Sequence, residues 1–208
     1  MDPFAGIPDS TLWARAAGHD GAAFGELFER HGTAVYNHCF RRTASWATAE
    51  ELTSIVFAEA WRRRKDAQLY SHSILPWLLG VANNAIRHAH RSQRRHQRLL
   101  TKLPPPPVAS DFGDDAARRL DAERAMARVL VELGDLRIED REVIALCDWA
   151  GLSPSEAAAA LDVPAGTVRS RLSRAHAQLR ARLGEEPVQA APTSTSPFPA
   201  REEGHGRA

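Results

Sequence analysis

Residues 163–183 read VPAGTVRSRLSRAHAQLRARL, a stretch with five arginines and no acidic residue. The twelve residues before it, GLSPSEAAAALD, combine a short helix pattern with a following turn. Ser153 and Glu156 have the spacing of a capping box, and Pro154 suits the first helical position. Two successive helices, the second of them basic, predict a helix-turn-helix whose second helix enters a DNA groove.

The faces of this second helix support a DNA-binding role. At about 100° per residue, its apolar side chains form one stripe, namely Val168, Leu172, Ala175, Leu179 and Leu183. The opposite face carries Ser170, Ser173, Arg174 and Ala177, flanked by Arg169 and Arg180 on one side and by Arg171 and Arg182 on the other. Small residues allow close approach, and arginine bonds guanine edges or phosphates. A solvated arginine-rich helix without a ligand is the alternative interpretation.

The first half of the chain shows the apolar rhythm of several helices, over residues 9–17, 20–42, 48–65 and 76–99. Thr48 and Glu51 have capping-box spacing, and Asp9 or Ser10 and Asp20 are candidate caps. His31 and His38 are expected at the surface or its boundary. The helix at 48–65 is apolar almost all round, with one narrow stripe of polar or small residues: Glu51, Ser54, Ala58 and Arg62. Such a helix is either central in a bundle or covered by a partner.

The helix at 76–99 carries a second basic face. Arg87, Arg91, Arg94 and Arg98 form an outward stripe, with Asn84 and His88 beside it. Arginines suit phosphates and amides suit base edges, so this face is also predicted to meet nucleic acid. Tyr70 and Trp77 are candidates to stack on an unpaired base, although Trp77 equally fits a core position.

The helical spacing of the apolar residues, with no stretch that alternates at period two, predicts an all-α protein with two small helical domains. Residues 1–100 form the first, residues 101–115 with four consecutive prolines a flexible linker, residues 116–184 the second, and residues 185–208 a disordered tail. Residues 61–100 contain nine basic residues and one acidic residue, and residues 101–150 contain seven basic and eleven acidic residues. An acidic segment therefore separates the basic block at 61–100 from the basic stretch at 163–183.

No residue pattern points to catalysis or to a bound cofactor or metal. The histidines are scattered, no glycine-rich phosphate loop or GxSxG occurs, and the acidic residues of the linker are expected to be a solvated loop. The two cysteines lack a CxxC context. No apolar run could span a membrane and no signal peptide opens the chain, so a cytoplasmic location is expected.

These motifs resemble a known family. AEELTSIVFAEAW, then PWLLGVANN, then the proline-rich gap and DREVIALCDWAGLSPSEAAAALDVPAGTVRSRLSRAHAQLR are similar to the extracytoplasmic-function (ECF) sigma factors of the sigma-70 family. The resemblance covers residues 20–182. It implies a non-enzymatic factor that binds core RNA polymerase and directs it to promoters, with region 2 in the first domain and region 4 in the second.

The resemblance also implies roles for individual residues. The first domain would bind the beta-prime clamp through Glu51, Ser54, Ile55, Ala58 and Arg62, and the minus-10 element through Tyr70, Ser71, Asn84, Arg87, His88 and Arg91. The second would rest on the beta flap and bind the minus-35 element through Arg169, Ser170, Arg171, Ser173 and Arg174. An anti-sigma factor is a further partner that the family makes plausible. Ser54-Ile55 departs from the glutamine–acid pair usual in the clamp helix, and Arg87-His88 stands where an aspartate or asparagine is commoner.

Two other functions compete with this one. A stand-alone helix-turn-helix regulator with an N-terminal effector or dimerisation domain would bind specific duplex DNA without polymerase. An enzyme built on the first bundle would need a clustered polar pocket, which the sequence does not offer.

Overall fold

The structure, a computed structural model, describes residues 3–65, 69, 72–100 and 114–184, with side chains described for all of these except 93–100, 114–116 and 183. The described part is helical and contains no β-sheet, so the all-α prediction is confirmed. The described residues form eight α-helices, which in chain order are α1 Asp9–Ala17, α2 Gly21–Thr43, α3 Trp46–Arg62, α4 Leu75–Leu100, α5 Asp114–Glu132, α6 Ile138–Ile144, α7 Pro154–Leu161 and α8 Ala165–Leu183. A π-helical turn, Ala145–Trp149, continues α6.

Side-chain caps explain where several of these helices begin. Asp20 accepts a hydrogen bond from the amide of Ala23, as predicted. The Ser153–Glu156 capping box is present in full, with Pro154 at the start of α7. The prediction for α3 was wrong: Ser45 caps it by accepting from the amide of Thr48, which therefore lies inside the first turn. Both candidate caps of α1, Asp9 and Ser10, were also wrong: the N-cap is Pro8, no side chain caps the helix, and Asp9 lies inside it with a buried side chain.

Helices α1 to α4 form a bundle whose core is rich in aromatic rings. Trp77 packs against Trp13 with ring centroids 5.6 Å apart, so it is a core-lining residue of this bundle. Phe24 lies between the rings of Phe57 and Trp61, at 6.2 and 5.1 Å. Tilted and edge-on rings at these distances add to the stabilisation that burial of their area provides.

In the second half, α8 packs against both α6 and α7. Val143, Leu146, Ala157, Val168 and Ala175 are all completely buried there. The turn between α7 and α8 lies at residues 162–164, where Asp162 adopts a left-handed backbone conformation (φ 54°). The helix-turn-helix predicted from the sequence is therefore present in the fold.

The two halves share a continuous core, which the sequence did not predict. α4 packs against α7, and α2 contacts both α5 and the π-helical turn. The amide of Trp46 at the start of α3 donates to Glu123 of α5 at 2.7 Å. Residues 101–113 and the tail from residue 185 lie outside the described residues, so the proposed linker and the domain boundaries remain predictions.

Candidate nucleic-acid interface

The outward face of α8 is the first candidate surface. Val168 and Ala175 are fully buried against α6 and α7, while the side opposite them is open to solvent. The exposed residues include four of the predicted minus-35 contacts: Arg169, Ser170, Ser173 and Arg174. The fifth, Arg171, is half-exposed on the shoulder. The helical period of 3.6 residues thus places the apolar stripe and the polar face as the sequence indicated.

The arginines of α8 divide into bound and unbound groups. Arg174 donates two hydrogen bonds to Asp140 of α6, at 2.7 and 3.1 Å, and Asp140 is almost fully buried. This ion pair raises the pKa of Arg174 and fixes the direction of its guanidinium. Arg182 is held by Asp135 at 2.9 Å. Arg169 and Arg180 have no hydrogen-bond or ion-pair partner among the described residues.

The face of α4 is the second candidate surface. Asn84, His88 and Arg91 are exposed along it. Arg87 is different, because Glu142 of α6 accepts a bidentate pair of hydrogen bonds from its guanidinium, with Nε 2.6 Å from Oε1. The expectation of a free outward Arg87 is therefore corrected: the second half of the chain occupies its charge. The predicted contacts Tyr70 and Ser71, and the side chains of Arg94 and Arg98, lie outside the residues that the structure describes.

Asn83, the neighbour of Asn84, turns inward. Its Oδ1 accepts from His38 Nε2 at 3.0 Å and from Arg42 at 3.2 Å, and the side chain is almost fully buried. Burial lowers the pKa of His38 to about 4, with Arg42 adding to the effect. The expectation of a surface or boundary histidine was therefore wrong for His38, because it packs inside the bundle and bridges α2 to α4.

The exposed strip of α3 is the third candidate surface. Glu51, Ser54, Ile55, Ala58 and Arg62 are all open to solvent. Ile55 is the large apolar residue of this strip, and 46% of it is exposed. Arg62 pairs with Glu59 on the same helix at 2.7 Å.

A buried carboxylate that the sequence indicated only as a cap organises the start of α4. Asp9 accepts from His31 Nε2 at 2.6 Å, and from the Ser73 hydroxyl and the Ile74 amide, both at 3.2 Å. Burial opposes ionisation of Asp9, but His31 and the Ile74 amide outweigh it and lower its pKa. Asp9 thus joins α1 and α2 to the segment that enters α4. Its long-range partners left no signal in the local sequence pattern.

Within the described ranges, no three His, Cys, Asp or Glu side chains come together that could hold a metal ion. Burial raises the pKa of Cys39 to about 12 and that of Cys147 to about 11, so both thiols are poor nucleophiles. No helix in the described part of the chain is both long and apolar enough to cross a membrane.

Comparison with known proteins places both halves in one family. Sigma-70 region 2 matches residues 27–96, and Sigma-70, region 4 matches residues 126–179. The RNA polymerase sigma factor NccH of Alcaligenes xylosoxydans xylosoxydans is 31% identical over 182 residues, which are 86% of this chain and 97% of that protein. The ECF RNA polymerase sigma factor SigK of Mycobacterium tuberculosis is 30% identical over 174 residues, 81% of this chain and 90% of SigK.

Solved structures agree with the sequence relatives. The structure of CnrH in complex with the cytosolic domain of CnrY superposes with a TM-score of 0.64 at 28% identity, covering 86% of this chain and 99% of CnrH. The sigma factor RpoE in complex with the anti-sigma factor NepR from Bartonella quintana shares the fold, with a TM-score of 0.58 at 23% identity over 79% of this chain and 98% of RpoE. With regions 2 and 4 matched and relatives aligned over nearly their whole length, this chain belongs to the sigma-70 family as an ECF sigma factor that directs transcription initiation.

Proposed function

We propose that this sigma factor reads promoters through two separate surfaces. The exposed face of α8 contacts the minus-35 element with Arg169, Ser170, Arg171, Ser173 and Arg174. The face of α4 contacts the minus-10 element with Asn84, Arg87, His88 and Arg91, together with Tyr70 and Ser71 from the preceding segment. The observation that supports this proposal most directly is the two-sidedness of α8: Val168 and Ala175 on its back are fully buried, while a row of serines and arginines faces solvent.

The α8 arginines differ in whether an acidic residue of the same chain pairs with them, and this difference suggests different roles in DNA binding. Arg169 and Arg180 have no partner among the described residues, which suits contact with phosphates or base edges. Arg174 is oriented by Asp140, which aims its remaining donor hydrogens. An arginine aimed in this way meets guanine O6 and N7 with less loss of conformational freedom than a free one.

The α3 strip is the proposed contact with the beta-prime clamp of core RNA polymerase, and the second half is proposed to rest on the beta flap. Ile55 supplies apolar area at the centre of the strip, and Glu51 and Arg62 lie near its two ends. CnrH has been solved in complex with the cytosolic domain of CnrY, and RpoE in complex with the anti-sigma factor NepR, so an anti-sigma factor is a further proposed partner of this chain. The protein is proposed to act as a non-catalytic factor in the cytoplasm, where polymerase meets the chromosome.

The test is run-off transcription with purified core polymerase on genomic promoter fragments. The wild-type protein should produce promoter-dependent transcripts that core enzyme alone does not produce. An Arg169→Ala variant should lose transcription from promoters that depend on the minus-35 element while still binding core. Tight, specific duplex binding by the free protein, with no transcript above that of core alone, would instead favour a stand-alone regulator.

A further inference from the structure

Arg174 lies on the exposed face of α8 but is tied to α6 by an ion pair. Its Nη2 and Nε atoms donate to Oδ1 and Oδ2 of Asp140, at 2.7 and 3.1 Å. Asp140 lies in the first turn of α6 and only 1% of its side chain is exposed, whereas 49% of the Arg174 side chain is open to solvent. The carboxylate is therefore a fixed internal partner, and the arginine is the member of the pair that can reach DNA.

The two hydrogen bonds occupy one particular edge of the guanidinium. Arginine has two edges that each carry a parallel pair of N–H groups, the side edge formed by Nε and Nη2 and the end edge formed by Nη1 and Nη2. Asp140 binds the side edge with both of its oxygens. The end edge is then the remaining place where Arg174 can donate two parallel hydrogen bonds to another group.

A pair of parallel donors selects one base. In the major groove, guanine presents two adjacent acceptors, O6 and N7. Adenine presents an acceptor beside a donor, cytosine a donor, and thymine an acceptor beside a methyl group, so these bases cannot accept both hydrogen bonds. An arginine restricted to its end edge is therefore matched to guanine. An unrestricted arginine can also turn toward a phosphate oxygen, which carries no sequence information.

We propose that Asp140 is a positioning residue that determines the base specificity of Arg174. By occupying the side edge and neutralising the guanidinium, Asp140 directs Arg174 to guanine and away from the sequence-independent attraction of phosphates. The inference rests on the proposed contact of α8 with the minus-35 element. It adds that the specificity of this contact is set by a buried carboxylate of α6, which does not itself touch DNA.

The other arginines of α8 divide the work of binding differently. Arg169 and Arg180 have no hydrogen-bond or ion-pair partner among the described residues, so their full charge can attract phosphates. Asp135 holds Arg182 at 2.9 Å, about two turns beyond Arg174 and outside the predicted base contacts. Arg169 and Arg180 thus supply affinity, whereas the neutralised Arg174 supplies discrimination between bases.

The test uses holoenzyme, formed from purified core polymerase and the full-length protein, with a promoter fragment that the wild-type holoenzyme transcribes. The probes are this fragment, its single-base variants across the minus-35 element, and a fragment in which that element is scrambled. Equilibrium competition gives a discrimination ratio at each base pair and the affinity for the scrambled fragment. Asp140→Asn is the direct variant, because it keeps the shape of the side chain and removes its charge. Asp135→Asn is the matched control, because it frees the charge of Arg182 instead.

Arg174→Ala first identifies the base pair that Arg174 reads, as the position where the discrimination ratio falls by about tenfold to a hundredfold. Asp140→Asn should lose most of the discrimination at the same base pair and leave the other positions unchanged. It should also bind the scrambled fragment several-fold more tightly, with a salt slope steeper by about one unit, because the freed charge can neutralise a phosphate. Asp135→Asn should show at most this salt effect and keep the wild-type ratios.

A double variant separates positioning from a general structural role. If Asp140 acts only through the arginine, Asp140→Asn combined with Arg174→Ala should show the same discrimination ratios as Arg174→Ala alone. A further loss of discrimination in the double variant, at that base pair or at others, would contradict this. Circular dichroism and the thermal midpoint establish that each variant is folded.

Two results with a folded Asp140→Asn protein would overturn the proposal. One is an unchanged discrimination ratio, and the other is equal weakening of binding to every probe, which would leave Asp140 only the role of holding α6 against α8. If Asp140→Asn does not fold, Arg174→Lys tests the same geometry. Lysine keeps the charge beside Asp140 but has no end edge, so its discrimination should fall as far as that of Arg174→Ala. A lysine variant with the wild-type ratio would also overturn the proposal.

The same measurements distinguish this inference from the proposed function. If Arg169→Ala and Arg174→Ala leave binding to every probe unchanged, α8 does not contact the minus-35 element, and both proposals fail. If these two variants weaken binding while Asp140→Asn keeps the wild-type ratio, the proposed function stands and the positioning role of Asp140 alone is refuted.

Discussion

Asp9 is predicted to be the side chain on which the geometry at the start of α4 depends most. Replacing it with alanine leaves the Ile74 amide without an acceptor in a fully buried position, and also removes the acceptor of Ser73 and His31. A buried unpaired donor costs about 1–3 kcal/mol, and each lost hydrogen bond to a charged group about 1.5–3 kcal/mol. Because these losses overlap, Asp9→Ala should lower the free energy of unfolding by about 3–5 kcal/mol.

Asp9→Asn keeps an acceptor oxygen but removes the charge, so it should lower the free energy of unfolding by roughly half as much as Asp9→Ala does. The pKa of Asp9 is lowered in the folded state, which gives the pH dependence its sign. The carboxylate stabilises the fold fully above the unfolded pKa of about 4, and this contribution is lost as the pH falls through the lower folded value. The stability difference between wild type and Asp9→Asn should therefore shrink toward pH 3.

Urea denaturation followed by far-ultraviolet circular dichroism measures these differences by linear extrapolation. Glu29→Ala, an exposed acidic position on α2, is the matched control and should change stability by no more than about 0.5 kcal/mol. An Asp9→Ala variant within about 1 kcal/mol of wild type at pH 7 would show that the Asp9 hydrogen bonds do not hold the start of α4. A wild-type advantage over Asp9→Asn that grows on acidification would contradict the lowered pKa of Asp9. In transcription, Asp9→Asn should impair promoter opening more than core binding, since Ser73 and Ile74 lead directly into α4.

Other predictions concern the remaining surfaces. Arg180→Ala should weaken binding to all promoter sequences alike and reduce the salt dependence of binding by about one unit of slope. Arg174→Ala should instead lose discrimination at one base pair, by about tenfold to a hundredfold, as measured with single-base promoter variants; uniform loss would contradict its base-reading role. Ile55→Lys should weaken core binding several-fold without changing the thermal midpoint, as titration with labelled core would show. Burial lowers the pKa of His38 from 6.5 to about 4, so as the pH falls between these values the unfolded chain takes up a proton that the folded protein does not. The free energy of unfolding should therefore decline by up to about 3 kcal/mol from pH 6.5 to pH 4, and urea titration of a His38→Gln variant should show a flatter decline.

Local sequence patterns predicted the elements and their faces well. The capping box at Ser153, the helical spacing of Val168 and Ala175, and the serine and arginine face of α8 all appear in the structure. These features depend on interactions between residues at most four apart, or on helical period alone, so a single sequence contains them. The α3 cap was misplaced by three residues because Ser45 and Thr48 are chemically equivalent caps.

Long-range partners were beyond the reach of such patterns. Glu142 follows two acidic residues and an arginine, and its composition alone suggests a solvated position. Only the packing of α6 against α4 makes it a fully buried partner of Arg87, 55 residues away. The same holds for Asp140 with Arg174 and for Asp9 with Ile74. A charged residue is buried only where another part of the chain supplies its counter-charge or donors, which the local sequence does not state.

Helical period, helix caps and composition are enough to specify an all-helical chain with a helix-turn-helix, two basic faces and a narrow exposed strip on α3. The tertiary structure alone decided that the two halves share one core and that Gly80 admits the backbone of α7. It also decided that Arg87 is held by a carboxylate of its own chain. The physical reason is that burial and ion pairing are properties of surfaces brought together from distant parts of the chain.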